Sequence, residues 1–249
     1  MTFSRRSFTR TFSGFLVSPF AWAASRELKC DVAVIGGGTG GCAAALAALR
    51  NGMTVVMTEE TDWVGGQLTS QAVPPDEHPW IEMFGGTRAY RGYREAVRSY
   101  YRNNHPLADE ARKSARWNPG GGSVSVLTHE PKVSVAVLEA MLAPYVSAGK
   151  LVVLLNHKPV AADVQGDRVL SGTVESEQSK AKRTIAAPYF IDATELGDLL
   201  PLTKTEFVTG FESKKDTGEM HAPDVAQPAE AGVREDFRPR GLVAAGRGP

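Results

Sequence analysis

The chain has 249 residues, 42% hydrophobic and 22% charged, with 28 basic and 28 acidic side chains. That length and apolar share suffice for a sizeable core and for one large or two small domains. The even charge balance leaves no field for nucleic acid, so no nucleic-acid partner is expected.

The N-terminus departs from this balance. Met1 to Ala23 holds Arg5, Arg6 and Arg10 and no acidic residue. Without it the chain carries 25 basic and 28 acidic residues, a net charge of −3. Ser4-Arg5-Arg6-Ser7-Phe8 has the pattern of a twin-arginine export signal. An apolar stretch from Phe12 to Ala23 follows, broken by Ser18 and Pro19, and Ala21-Trp22-Ala23 is a small-x-small cleavage site. The stretch is too short to anchor a protein in a bilayer. The expectation is a signal peptide over residues 1–23, carriage by the export machinery to the periplasm or exterior, and no membrane anchor after cleavage. The competing reading is a basic amphipathic helix. Cys30 and Cys42 are the only cysteines. They fall on opposite sides of a glycine turn, so both are read as small buried residues rather than a disulfide. Two cysteines cannot ligate a four-iron cluster.

Asp31 to Ile35 reads as a short buried strand and Cys42 to Arg50, rich in Ala and Leu, as a helix. Gly36, Gly38 and Gly41 fill a G-x-G-x-x-G pattern across the joint, with Gly37, Thr39 and Gly40 between them. The first glycine permits a tight turn, the second lets backbone approach a pyrophosphate, and the third lets helix and strand pack closely. The helix start offers free N–H groups and a partial positive charge to phosphate. Met53 to Thr58 reads as the next strand, ended by Glu59, whose carboxylate is suited to two ribose hydroxyls. Strand, glycines, helix, strand and acid in this order imply a bound dinucleotide. The alternative is a glycine-rich structural turn.

Thr61 to Thr87 is loop-rich, with Gly65-Gly66, Pro74-Pro75 and Gly85-Gly86, yet its aromatic and apolar residues argue against disorder. Arg88 to Asn104 reads as a helix, residues 106 to 122 mostly as loop, and Pro131 to Ser147 as a helix that Pro144 ends or kinks. Leu151 to Leu155 is a strand. Val160–Val164, Arg168–Val174 and Arg183–Ala186 form an antiparallel β-meander, and Tyr189 to Thr194 returns as a buried strand. From Gln227 the composition turns to Arg, Gly, Ala and Pro with no apolar period, so residues 227–249 read as an irregular tail.

Four segments carry a family resemblance: Val34 to Cys42, Glu59 to Thr69, His129-Glu130-Pro131, and Asp192-Ala193-Thr194-Glu195-Leu196-Gly197-Asp198. Together they resemble the FAD-dependent oxidoreductases of the glutathione-reductase-like fold, and within these the secreted flavoproteins akin to the flavin subunit of heterodisulfide reductase. The resemblance covers about residues 29–223. It implies an α/β fold: a Rossmann-like FAD-binding domain with a parallel sheet and an inserted antiparallel meander. In such flavoproteins the ribose acid precedes the Gly-Gly pair by six positions, which selects Glu59 over Glu60. The resemblance implies FAD contacts at Gly65, Gly66 and Gln67, at Ala193 and Thr194, and at Val160 beside Pro159. In relatives a glycine follows the threonine; here Glu195 stands there. These add to Gly36, Gly38, Thr39, Gly40, Gly41 and Glu59 from the glycine turn.

No metal-ligand spacing and no serine nucleophile elbow occur. Of five histidines, His78 is the catalytic candidate, because it lies beside Asp76 and Glu77 in the loop that should approach the flavin. His129 is read with Thr128 as a helix cap. Flavin carries the redox chemistry in such proteins, so electron or hydride transfer through it is expected, to a small molecule or electron carrier that the sequence does not specify. Relatives are longer, with a later Gly-Asp segment at the ribityl, and the expectation is a truncated chain lacking the C-terminal part of that fold, or a short one completed by a partner. A non-catalytic FAD- or ADP-binding remnant stays open, as does, less favoured, an NAD-dependent dehydrogenase.

Overall fold

The computed structural model describes residues 27–207 and 210–228. The export signal expected over residues 1–23 and the tail beyond Pro228 lie outside the described residues.

The chain opens with β1 (Glu27–Lys29), β2 (Val32–Ile35), α1 (Thr39–Arg50) and β3 (Val55–Glu59). All four residues of β2 and all five of β3 are buried. This is the signature of central parallel strands covered on both faces. A single 3-10 turn at Gly66–Leu68 precedes α2 (Arg88–Asn104), α3 (Asp109–Lys113), α4 (Pro131–Ser147) and β4 (Leu151–Leu155). Then come β5 (His157–Gln165), β6 (Arg168–Ser176), β7 (Lys182–Ala186), β8 (Tyr189–Asp192) and α5 (Leu199–Thr203). Short β9 (Gly210–Phe211), α6 (Lys214–Thr217) and β10 (Gln227–Pro228) complete the order.

The described residues form an α/β fold with two four-stranded sheets and a two-stranded pair, β9 and β10. The first runs β4-β3-β2-β8, and every pair in it is parallel. The chain steps outward from β2 through β3 to β4, then returns to β8 on the far side of β2. Crevices for ligands open where strand order reverses in this way, beyond the carboxyl ends of the strands. The second sheet runs β1-β7-β6-β5. Its β5-β6-β7 meander is antiparallel, as expected, but β1 pairs with β7 in parallel and makes the sheet mixed.

The period of two along β2 divides the core. Val32 and Val34 face the helical layer with Leu46, Val97, Leu138 and Leu142. Ala33 and Ile35 face the meander and α5 with Val174, Ile185 and Leu199. Full burial of such aliphatic side chains stabilises by about 1.5–3 kcal/mol each, so the parallel sheet is clamped from both sides.

Several sequence expectations need correction. Helix α1 begins at Thr39 rather than Cys42, because extended Gly38 is its N-cap and the Gly38 carbonyl accepts from Cys42 N–H at 2.9 Å. Helix α4 runs through Pro144 to Ser147. A proline this close to the C-terminus costs one hydrogen bond in the last turns rather than a break. Helix α3 lies inside the stretch read as loop. Gln227–Pro228, placed in the irregular tail, pair antiparallel with β9. No helix among the described residues is long and apolar enough to cross a membrane.

Candidate nucleotide-binding site

The three glycines of the turn have three different surroundings. Gly36 has φ +101°, and a Cβ there would lie 2.3 Å from the Ala193 carbonyl oxygen. Only glycine fits, because the backbone is left-handed and the Ala193–Thr194 backbone just after β8 lies directly against it. A Cβ on Gly41 would lie 1.9 Å from the Gly36 carbonyl oxygen, so α1 sits on the turn without room for a methyl group. Gly38 differs: its Cβ would meet only Glu195 Oε1, at 3.5 Å. That side of Gly38 opens into a cavity of about 270 Å³.

The second glycine pair packs on the first. Gly65 N–H donates to the Gly37 carbonyl at 2.8 Å, and Thr39 Oγ1 donates to the Gly65 carbonyl at 2.9 Å. Gly38 and Gly65 form an isolated parallel bridge, and a Cβ on Gly66 would stand 3.1 Å from Gly38 Cα. Two signatures far apart in sequence thus make one narrow floor.

Glu59 ends β3 and is 5% exposed. Its Oε2 accepts from Gly37 N–H at 3.1 Å, and its Oε1 accepts from the N–H and hydroxyl of Thr61 at 2.9 and 2.8 Å. Three donors fix the carboxylate at the cavity wall and tie β3 to the glycine turn. Opposite, Ala193 N–H donates to the Ile35 carbonyl at 2.7 Å. Asp192 closes the next loop: Oδ1 accepts from the N–H and hydroxyl of Thr194, and Oδ2 from Leu199 N–H.

Of the expected cofactor contacts, the cavity lining includes Gly36, Gly38, Glu59, Gly66, Ala193 and Thr194. Gly41 and Gly65 are instead packing positions of the floor. Gly40 at the helix start is exposed, with nothing within 4 Å of its Cβ position. Pro159, not Val160, faces the cavity, at a register shift in β5 between Pro159 and Ala161. Thr39 and Gln67 line a second cavity of about 400 Å³ with Asp76, Glu77, His78 and Tyr90. His78 therefore lies across the Gly65–Leu68 turn from the first cavity. Its Nδ1 accepts from Trp80 N–H at 3.2 Å, and its ring lies 6.2 Å from those of Trp80 and Phe84.

The loop bearing His78 is fastened by buried charge. Arg94 on α2 pairs with Glu77 and Glu82, and Arg98 pairs with Glu82 and donates to the Trp117 carbonyl. The cap expected at Thr128–His129 is absent. Glu130 is the N-cap of α4 with no side-chain bond, while His129 turns inward. Its Nδ1 faces the Leu127 carbonyl at 2.6 Å and its Nε2 faces Ser134 Oγ at 2.6 Å. The carbonyl can only accept, so Nδ1 carries the proton and neutral Nε2 accepts. Burial lowers the His129 pKa.

Glu60, Gln71, Glu195 and Asp198, none of them among the expected cofactor contacts, also line the first cavity. Alternation along a strand would turn Glu60 away from Glu59, but β3 ends at Glu59 and the rule ends with it. Burial, then the nearby charges of Glu59 and Asp198, raise the Glu60 pKa. The acid at 195, where relatives have glycine, was the one visible signal. Among the described residues no group of three His, Cys, Asp or Glu side chains is arranged to hold a metal ion. Cys30 and Cys42 are free thiols, and burial pushes Cys42 up to about 12.

The family model described as FAD dependent oxidoreductase matches residues 31–243. The chain belongs to this family, whose cofactor is FAD. None of the curated proteins compared matches it. Among solved structures it is similar to L-proline dehydrogenase from P. horikoshii, at 19% identity and TM-score 0.34, over 68% of this chain and 23% of that one. It is similar to the rebeccamycin biosynthetic enzyme RebC with reduced flavin, at 17% identity and TM-score 0.44, over 74% and 36%. It is also similar to the glycerol-3-phosphate dehydrogenase from Bacillus halodurans complexed with FAD, at 15% identity and TM-score 0.40, over 67% and 34%. The chain thus spans between 23% and 36% of the length of these three.

The residues present suit this cofactor. Gly38 presents an open backbone face to the cavity, and α1 has neither a side-chain cap nor an acid in its first turn. A pyrophosphate can meet backbone N–H groups there once the Glu195 carboxylate, 3.5 Å from the Gly38 Cβ position, turns aside.

Proposed function

We propose that this chain binds the ADP half of FAD in the Gly36–Gly66 cavity, as part of an FAD-dependent oxidoreductase of the glutathione-reductase-like fold. The observation that carries the reading is the joining of the two glycine signatures through Gly65 N–H and Thr39 Oγ1 beside buried Glu59. In this reading the pyrophosphate lies over Gly38 and the start of α1, and Glu59 accepts from ribose hydroxyls with its remaining lone-pair capacity. Ala193 and Thr194 wall the opposite side. Bound FAD supplies hydride or electron transfer at its flavin ring. The protein's part is to hold the nucleotide and to fix the loop of His78, which the Arg94 and Arg98 ion pairs fasten to α2.

The N-terminal Ser4-Arg5-Arg6-Ser7-Phe8 supports export by the twin-arginine route and a periplasmic or secreted destination. That route carries folded, cofactor-loaded proteins, as a flavoprotein requires. The test is direct. Protein purified from cells with the export machinery should show a stoichiometric flavin absorption band that bleaches with reductant and accompanies the exported fraction. Colourless exported protein that takes up no added FAD would refute the cofactor assignment. Unchanged export after both Arg5 and Arg6 become Lys would refute the route.

A further inference from the structure

We infer that Glu195 is a built-in anion that competes with the FAD pyrophosphate for the mouth of the glycine turn, and so sets how tightly the chain holds its cofactor. This rests on the proposed FAD site, and its charge logic comes from the residues around Gly38.

Glu195 Oε1 stands over both glycine signatures at once. It lies 3.5 Å from the Cβ position of Gly38 and 3.2 Å from that of Gly66. Apart from Gly38 and its chain neighbours, no other atom lies within 4 Å of the Gly38 Cβ position. The second glycine is the one whose bare backbone a pyrophosphate approaches. The carboxylate therefore occupies the direction from which the phosphate oxygens arrive. Gln71 holds it there, donating from Nε2 to Oε1 at 3.1 Å.

The placement has a physical cause. The α1 N-terminus carries partial positive charge, with no side-chain cap and no acidic residue of its own first turn to meet it. Glu195, from the loop after β8, brings a carboxylate to the open side of Gly38, while Glu59 is held on the other side by Gly37 N–H and Thr61. When FAD enters, two anions cannot share the place. Glu195 is exposed, so it can swing into solvent once Gln71 lets go. The rest of the cavity is rich in carboxylates. Glu59, Glu60 and Asp198 face the same space, and nearby Lys158 is engaged by Glu177 at 2.6 Å. Neutralising Glu195 thus removes both a competitor for the helix end and part of the repulsion.

The experiment titrates full-length apoprotein with FAD, followed by flavin fluorescence, and with adenosine, followed calorimetrically, at low and high salt. Glu195→Gln and Glu195→Ala are compared with the parent. Both variants should bind FAD about three- to tenfold more tightly at low salt, with the gap narrowing at high salt as the repulsion is screened. Adenosine carries no phosphate, and its affinity should be unchanged. Equal or weaker FAD binding by Glu195→Gln overturns the inference, as does tighter adenosine binding of the same size. Tightening in Glu195→Ala alone assigns the effect to bulk and overturns the charge competition. If neither parent nor variants bind FAD or adenosine, the site reading itself is wrong and this inference falls with it.

Discussion

Replacing single glycines of the turn by alanine separates its structural from its binding duty. Gly41→Ala puts a methyl carbon 1.9 Å from the Gly36 carbonyl oxygen, against an ordinary contact of at least 3.4 Å. Helix α1 or the turn must therefore shift by about 1.5 Å, and both are packed: Cys42, Ala45 and Leu46 on α1 are buried against the sheet. Overpacking of this kind costs about 1–3 kcal/mol. For a domain of this size, at roughly 2–4 °C per kcal/mol, the melting temperature should fall by about 2–12 °C. Gly38→Ala has the opposite profile. Gly38 has φ −60°, which alanine adopts without strain, and its Cβ would sit at ordinary contact distance from the exposed Glu195 carboxylate. Such a substitution is neutral or stabilises by up to about 1 kcal/mol through the unfolded state. Its methyl group nevertheless fills the face that the pyrophosphate needs, so FAD affinity should fall at least about tenfold, or 1.4 kcal/mol. Circular-dichroism melting of the apoproteins and flavin titration read the two effects separately. Equal melting losses in both variants, or undiminished FAD affinity in Gly38→Ala, would refute this division of roles.

Glu59→Ala removes the acceptor for Gly37 N–H and for both Thr61 donors. Charge-assisted bonds are worth about 1.5–3 kcal/mol each, though not additively. Both thermal stability and FAD affinity should drop, the latter by tenfold or more. Glu60→Gln should leave stability near that of the parent and FAD binding equal or slightly tighter, since it removes a carboxylate from the cavity mouth. A Glu60 variant that binds worse than the Glu59 variant in the same titration would reverse the assignment of the ribose acid. His129 gives a pH prediction. Its folded pKa lies below the ordinary 6.5, so the unfolded chain takes up a proton first as pH falls. The contribution is full above about pH 6.5 and is lost as pH drops from there through the folded value. The urea midpoint should decline over that window, and less steeply in His129→Asn; identical slopes would show that another group is responsible.

The sequence alone determined what depends on neighbours along the chain. Helices at Arg88–Asn104 and Pro131–Ser147 and the strand at Leu151–Leu155 have the boundaries that periodicity and a proline at the helix start imply. The glycine turn was legible for the same reason, since it is a local backbone requirement, whereas the choice of Glu59 over Glu60 came from the family resemblance. Tertiary structure decided what depends on distant partners. That β1 joins β7 follows from sheet edges meeting in space. The separate duties of Gly36, Gly38 and Gly41 depend on which surface each glycine meets, and one of those surfaces, at Ala193, is more than a hundred residues away. His129 was read as a cap because its chain neighbours suit one, yet Ser134 on α4 and the Leu127 carbonyl offer the ring a buried pair of partners. Glu195 is the clearest case. In sequence it is one acid in the Thr194-Glu195-Leu196 loop, and only folding places it above Gly38, where the open end of a helix attracts a carboxylate.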